Sequence, residues 1–304
     1  MRKLLTGLVA LLVVLALAGA ATLVLAPGAV IGAMQAVAAR TAGLEARTIG
    51  AGSTPTHYYE GGEGPPLVLL HGMADEKSSF VAAAGELTDA YRVVLPDLLG
   101  HGGNARDASA DLSIAGQVAH DDALVDALGI ERFALGGNSM GGHVAAAYAI
   151  VHPEKVTKLI LVNAPGLRVE GHEVYGGFAK PIETREAFDA LMARVVAEPP
   201  AVPGPVKDEL ARRANADFDF INAAARAVRE GEAYDLADRV GTIGAPTLIL
   251  WGEEDVVVPR EVANRYAALI PDAELVTLPG AGHSPQLEQP ERVGRAIAGF
   301  LAAN

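Results

Sequence analysis

Gly137-Asn138-Ser139-Met140-Gly141 constrains this chain more than any other stretch. A short apolar run, Phe133-Ala134-Leu135-Gly136, precedes it, and an Ala-rich segment of helical pattern, His143 to Val151, follows. Between a strand and a helix, Gly-x-Ser-x-Gly predicts a turn too sharp for side chains at its flanks. Such a turn lifts the serine hydroxyl clear of a sheet. It also sets that hydroxyl at a helix N-terminus, where the macrodipole favours a developing anion. The same pentapeptide also fits a Gly-rich turn with an idle serine, so the rest of the chain has to supply the partners.

A serine hydroxyl needs a base near neutral pH, and the base needs an orienting acid. On an open sheet the expected order along the chain is Ser, then Asp or Glu, then His. Downstream, Thr247-Leu248-Ile249-Leu250-Trp251-Gly252 reads as a buried strand ending in Glu253-Glu254-Asp255. Glu274-Leu275-Val276-Thr277-Leu278 reads as another, ending in Pro279-Gly280-Ala281-Gly282-His283. Both polar candidates follow the C-terminal end of a strand, where open α/β sheets carry their sites. We take Asp255 as the acid, with Glu253 and Glu254 as competing carboxylates, and His283 as the base. Among the other histidines, His57 precedes the expected sheet proper, and His101, His120, His152 and His172 read as solvated or structural. His143, four residues past Ser139 on the same helical face, reads as a helix or lid contact.

Acyl transfer also requires donors for an oxyanion. The backbone N–H of Met140, next after the nucleophile, is one. The loop after the strand Pro66-Leu67-Val68-Leu69-Leu70 begins His71-Gly72-Met73, and the N–H of Met73 is the expected second donor. Gly72 would allow close approach of the backbone, with His71 bracing the loop.

From about residue 55 to 303 the chain resembles an α/β-hydrolase. The motifs are His71-Gly72, Asp97-Leu98-Leu99-Gly100-His101-Gly102, the serine turn, Trp251-Gly252 with Asp255, and Gly282-His283. Within that superfamily it is most similar to the membrane-anchored monoacylglycerol lipases of the α/β-hydrolase-domain group. The residues behind this closer match are Asp111-Leu112-Ser113-Ile114 with Gly116-Gln117-Val118, Asn138 to Ala145, and Ala164-Pro165-Gly166-Leu167. It is less similar to hydrolases that split carbon–carbon bonds of ring-fission products. Those share Gly-Asn-Ser-Met-Gly-Gly but usually carry a more Gly-rich loop than His71-Gly72-Met73-Ala74-Asp75.

The N-terminus is the second strong signal. Arg2 and Lys3 precede an uncharged stretch, most apolar from Leu4 to Ala26. That exceeds the roughly 7–15 residues of a signal-peptide core and reaches the roughly 20 of a bilayer span. We take it as an uncleaved membrane anchor, with the catalytic domain on the extracytoplasmic side by the positive-inside rule. Ala18-Gly19-Ala20 keeps open a cleaved signal and a secreted product.

The expected organisation is therefore an anchor or signal with linker over 1–40 and a catalytic domain over 41–304. Strand and helix patterns alternate through that domain, the pattern of a mostly parallel eight-stranded sheet covered on both faces. Expected strands lie near 44–49, 57–60, 67–70, 92–96, 133–136, 158–162, 247–251 and 274–278, the first two antiparallel. Helices are expected near 80–87, 114–128, 140–151, 260–269 and 291–301. From about 164 to 242 the rhythm breaks into helical patterns near 185–197, 206–213 and 218–229, punctuated by Pro199, Pro200, Pro203 and Pro205. We read this interval as a helical cap supplying the substrate pocket.

The chain has no cysteine, which excludes disulfides and a thiol nucleophile. A net charge of −13 without a basic run argues against nucleic acid as a partner. No metal-ligand spacing or phosphate-binding glycine loop stands out, so neither a cofactor nor a metal is expected. The combined expectation is a serine ester hydrolase for small or medium lipid-like esters, monoacylglycerols by resemblance. The alternatives are a carbon–carbon bond or soluble-ester hydrolase and, more remotely, a non-catalytic binding protein of the same fold.

Overall fold

Short apolar runs separated by helical segments assemble into one eight-stranded sheet in the computed structural model, which describes residues 21–52 and 54–303. The strands are β1 (Leu44–Ala51), β2 (Thr54–Gly61), β3 (Pro66–Leu70), β4 (Arg92–Pro96), β5 (Phe133–Asn138), β6 (Val156–Val162), β7 (Thr247–Gly252) and β8 (Ala273–Leu278). Their spatial order is β1-β2-β4-β3-β5-β6-β7-β8. The pairs β1/β2 and β2/β4 are antiparallel, and every later pair is parallel. All eight expected strands are present, in the expected sense.

The central strands are apolar on both faces because helices cover both. Successive side chains point to opposite sides, so each strand feeds two cores in alternation. Leu67, Leu69, Val93, Leu95, Ile160, Val162, Leu248 and Leu250 enter one core. Val68, Leu70, Val94, Leu159, Leu161, Ile249 and Trp251 enter the other. Burial on both sides makes a register slip costly, which fixes where each strand ends and hence where the loops that follow begin.

The covering helices are α1 (Pro27–Thr41), α2 (Val81–Ala84), α3 (Ile114–Ala127), α4 (Met140–Val151), α5 (Arg185–Val195), α6 (Gly204–Ala216), α7 (Phe218–Glu230), α8 (Arg260–Leu269), α9 (Pro285–Glu288) and α10 (Pro290–Ala302). Ser113 caps α3, its side chain accepting from the N–H of Gly116. Pro290 opens α10, where a missing N–H is harmless. Helices α5, α6 and α7 lie between β6 and β7, where the cap is expected.

Two expectations change. The helix near 80–87 is a 3-10 turn over Lys77–Phe80 followed by the single turn α2, with Gly85 after it. His57 is not ahead of the sheet but within β2, its Nδ1 in a hydrogen bond with Thr48 Oγ1 of β1. Helix α1 packs on the sheet domain that follows it. Ala39 is buried in one of the two cores, and Gln35 hydrogen-bonds Glu76 and Ser78. Among the described residues no helix is long and apolar enough to cross a membrane. Most of the expected span from Leu4 to Ala26, namely residues 1–20, lies outside the described residues.

Candidate active site

Ser139 stands between β5 and α4 with φ 52° and ψ −122°, a backbone conformation L-residues rarely adopt. Sterics explain its flanking glycines. A Cβ on Gly137 would lie 2.4 Å from the carbonyl carbon of Gly141, and one on Gly141 would lie 2.3 Å from the carbonyl oxygen of Leu70. Strain of this kind persists only when the surroundings over-determine it. Here β5 is fully buried between β3 and β6, and the Ser139 N–H donates to the carbonyl of Val162.

His283, on the loop after β8, and Asp255, on the loop after β7, converge on this serine. The Ser139 hydroxyl donates to His283 Nε2 at 2.8 Å, and His283 Nδ1–H donates to Asp255 Oδ2 at 2.9 Å. The Asp255 side chain is 1% exposed. Its Oδ1 accepts the N–H groups of Val257 (2.7 Å) and Val258 (3.0 Å), a turn that a short Asp side chain closes and the longer Glu does not. Its Oδ2 also accepts from Asn163 Nδ2 at 2.6 Å. Burial works to raise the Asp255 pKa, but His283, Asn163 and the Val258 N–H outweigh it, and the carboxyl stays below its usual range. Glu253 and Glu254 are exposed on the same loop and do not join this line.

The loops that carry the three residues are held by groups the sequence did not single out. Asn163 sits at the end of β6 with φ 47° and clasps two neighbours. Its Oδ1 accepts from Gly252 N–H while its Nδ2 reaches Asp255. Asn138 Nδ2 donates to the carbonyl of His283 at 2.9 Å. Glu288 accepts from Gly282 N–H and, with its other oxygen, from Ala197 N–H just beyond the cap helix α5. Asn163 could have been suspected, since a polar residue directly after an apolar strand lies at the edge where open sheets bind ligands. Glu288 carries no such signal.

Met140 opens α4, so its N–H lacks an intrahelical partner. Met73 follows Gly72, and a Cβ on Gly72 would lie 3.3 Å from Ser139 Cβ. The loop carrying Met73 therefore runs close beside Ser139. His71 Nε2 accepts from Leu98 N–H and its Nδ1–H donates to the Gly72 carbonyl, which braces that loop as expected. Asp97 ties the far side: it accepts from the backbone and side chain of Lys77 and from Gly103 N–H.

The cap closes over the same edge. His143, fully buried on α4, meets Tyr175 through Nδ1 and Ala233 through Nε2, so it touches both flanks of the cap interval. Ser284 N–H donates to the carbonyl of Val195 at the end of α5. Of the remaining histidines, His120 bonds Thr56, His172 bonds the Val257 carbonyl and His101 Nδ1 bonds the Leu99 carbonyl.

The family model described as "Alpha/beta hydrolase family" matches residues 67–296. The 2-hydroxymuconate semialdehyde hydrolase of Pseudomonas putida is 32% identical over 272 residues, covering 84% of this chain and 94% of that protein. The mouse (Mus musculus) monoacylglycerol lipase ABHD6 is 28% identical over 263 residues, covering 80% and 77%. Among solved structures, a membrane phospholipase A described as a bacterial virulence factor superposes with a TM-score of 0.85 at 31% identity, covering 99% of this chain and 98% of that one. A semialdehyde hydrolase, a monoacylglycerol lipase and a membrane phospholipase are thus among the proteins it resembles, and the chain belongs to the α/β hydrolase family.

Proposed function

We propose that this hydrolase is a serine esterase acting on small or medium lipid-like carboxylic esters such as monoacylglycerols. The observation that carries this reading is the unbroken hydrogen-bonded line from Ser139 through His283 to Asp255. In this reading Ser139 Oγ attacks the ester carbonyl while His283 Nε2 takes its proton. The Met73 and Met140 N–H groups stabilise the oxyanion, a contribution typically of about 3 kcal/mol per donor. Asp255 holds His283 in the tautomer that leaves Nε2 free to accept, and stabilises the imidazolium that forms. His283 then protonates the leaving alcohol. Water, deprotonated by the same histidine, releases the acid from Ser139.

The apolar N-terminus supports a lipid-like substrate, since a chain held at a membrane meets substrates that partition there. The names of the membrane phospholipase A and of the monoacylglycerol lipase support the same direction. We read Leu4 to Ala26 as the membrane anchor, with a cleaved signal as the alternative.

A second reading is carbon–carbon bond hydrolysis of a ring-fission product, favoured by the length of the match to the semialdehyde hydrolase. One assay separates the two. Purified full-length protein is presented with monoacylglycerols, p-nitrophenyl esters of graded chain length and 2-hydroxymuconate semialdehyde, and is labelled in parallel with a fluorophosphonate. Ester turnover with labelling at Ser139 is expected. Turnover of the semialdehyde alone would replace the ester reading, and absence of both turnover and labelling would end it.

A further inference from the structure

The loop that carries Asp255 is held from the cap side as well as from within. His172 lies on the segment that leaves β6 for the cap, at the end of a tight turn, Val169-Glu170-Gly171-His172. The His172 N–H donates to the Val169 carbonyl at 3.2 Å. Gly171 takes φ 75°, the left-handed conformation for which the third position of a type II turn favours glycine. This turn brings the imidazole onto the loop after β7, where His172 Nε2–H donates to the Val257 carbonyl at 2.9 Å. Val169, His172 and Val174 line one small cavity with Pro259 and Val262, so the two segments lie side by side.

The Val257 carbonyl is not an isolated acceptor. It and the Val258 N–H are the two ends of one planar peptide unit. That N–H donates to Asp255 Oδ1 at 3.0 Å and is among the groups that hold the carboxyl below its usual range. A donor on an amide oxygen polarises the unit and strengthens the bond its N–H gives, by roughly 10–30% in a chain of hydrogen bonds. It also fixes the plane of the unit, and with it the direction of the N–H. The contacts therefore run from His172 through one peptide to Asp255, then to His283 and Ser139. Nε2 must carry a proton here, because a carbonyl oxygen only accepts. The His172 residue is otherwise exposed, and surface substitutions usually leave stability nearly unchanged.

We propose that His172 is a positioning residue for Asp255, supplied by the entry segment of the cap and acting through the Val257–Val258 peptide. The proposal rests on the Ser139–His283–Asp255 reading above and adds a fourth member to that line. The acid is then fully oriented only when the entry segment is seated on its loop, which ties the cap to the triad.

Two variants separate the donor from the ring. His172→Phe keeps a ring and loses the donor, whereas His172→Gln loses the ring and keeps an N–H near the Nε2 position. Each full-length protein is compared with wild type by kcat and KM on p-nitrophenyl butyrate and by its rate of fluorophosphonate labelling. The far-downfield proton resonance of His283 Nδ1–H, identified by its loss in His283→Gln, is read alongside. In His172→Phe, kcat and the labelling rate should fall about fivefold, the order of one net hydrogen bond, with KM and the thermal midpoint nearly unchanged. The resonance should move as well. In His172→Gln all three should return towards the wild-type values. An unmoved resonance in folded His172→Phe overturns the proposal. So does a His172→Gln protein that behaves like His172→Phe, since the loss would then belong to ring packing. The resonance requires no turnover, so it decides the role of His172 separately from the ester reading, against which absence of hydrolysis and labelling in wild type would count.

Discussion

Replacing Asp255 by Asn alters one atom, and the surroundings dictate how the amide must sit. Oδ1 of Asp255 faces two N–H donors, from Val257 and Val258, so the amide oxygen has to occupy that position. The NH2 then takes the Oδ2 position, facing Asn163 Nδ2 at 2.6 Å and His283 Nδ1 at 2.9 Å. Asn163 cannot turn over to offer its oxygen, because that oxygen already accepts from Gly252 N–H. Two consequences follow. The amide donates to His283 Nδ1, which moves the imidazole proton to Nε2 and removes the base from Ser139. Loss of the correct tautomer in this arrangement lowers kcat by about 10⁴-fold in serine proteases, and we expect a similar loss here. Separately, two donors now confront each other in a buried site, at a cost of about 1–3 kcal/mol. Adding Asn163→Asp supplies an acceptor opposite the new NH2 while still accepting from Gly252 N–H. The double variant Asn163→Asp/Asp255→Asn should regain much of the lost thermal stability and none of the rate. The assay is kcat on a p-nitrophenyl ester together with calorimetry, for both variants and for Glu253→Gln and Glu254→Gln. If Asp255→Asn kept more than about a tenth of the rate, or either Glu variant matched its loss, the orienting role of Asp255 would be refuted.

Ser139→Ala should abolish fluorophosphonate labelling and lower kcat on the order of 10⁴–10⁶-fold with little change in thermal midpoint, since the turn is set by its glycines; retained labelling would place the nucleophile elsewhere. Gly141→Ala should fail to yield folded protein or destabilise by more than about 2 kcal/mol, because its Cβ would fall 2.3 Å from the Leu70 carbonyl oxygen; a normal chemical-denaturation midpoint would contradict that packing. Asp121 is buried with neither oxygen hydrogen-bonded among the described residues, and burial raises its pKa to about 8. A folded pKa above the unfolded value near 3.9 means its stabilisation is present below that value and is lost as pH rises towards 8. Asp121→Asn should therefore raise the thermal midpoint relative to wild type more at pH 8 than at pH 5, and a pH-independent difference would falsify the assignment. His143 and His101 run in the same direction as a depressed acid: their pKa values are pushed down to about 4 and about 3, so the stability they contribute is complete above about 6.5 and is lost as pH falls towards those values. His143→Gln should flatten the acid limb of a stability–pH curve, which urea titration at graded pH would read. Removing residues 1–20 should leave a folded enzyme, whereas removing 1–41 should lower the thermal midpoint, because Ala39 and the Gln35 hydrogen bonds leave with α1; equal midpoints would mean α1 contributes nothing to the fold.

Much of this molecule is written in local pattern. The eight strands could be read because burial on both faces demands uninterrupted apolar runs, and such runs look alike wherever they sit in a parallel sheet. Ser139 could be read because sharp backbone turns admit few residues at their flanks, and Gly137 and Gly141 satisfy a steric demand that neighbouring residues alone impose. His283 followed from chain order and the strand before it.

What the sequence did not reveal depends on what comes near in space. Asp255 differs from Glu253 and Glu254 because its short side chain closes on Val257 and Val258 and meets Asn163, which lies some ninety residues earlier. Glu288 joins the histidine loop to the cap through two hydrogen bonds that no spacing foretells. The segment 27–41 shows the limit most plainly. A run rich in Ala, Val, Ile and Met has the same appearance whether it faces lipid or protein, because hydrophobic burial is non-directional and carries no address. Of this helix only Ala39 is buried, while Met34 and Val37 stay exposed. Only the tertiary structure decided that Ala39 would pack beneath the sheet's covering helices, with Ile31 and Gln35 lining a cavity whose other walls come from the loops after β3 and β4 and from α6 and α7.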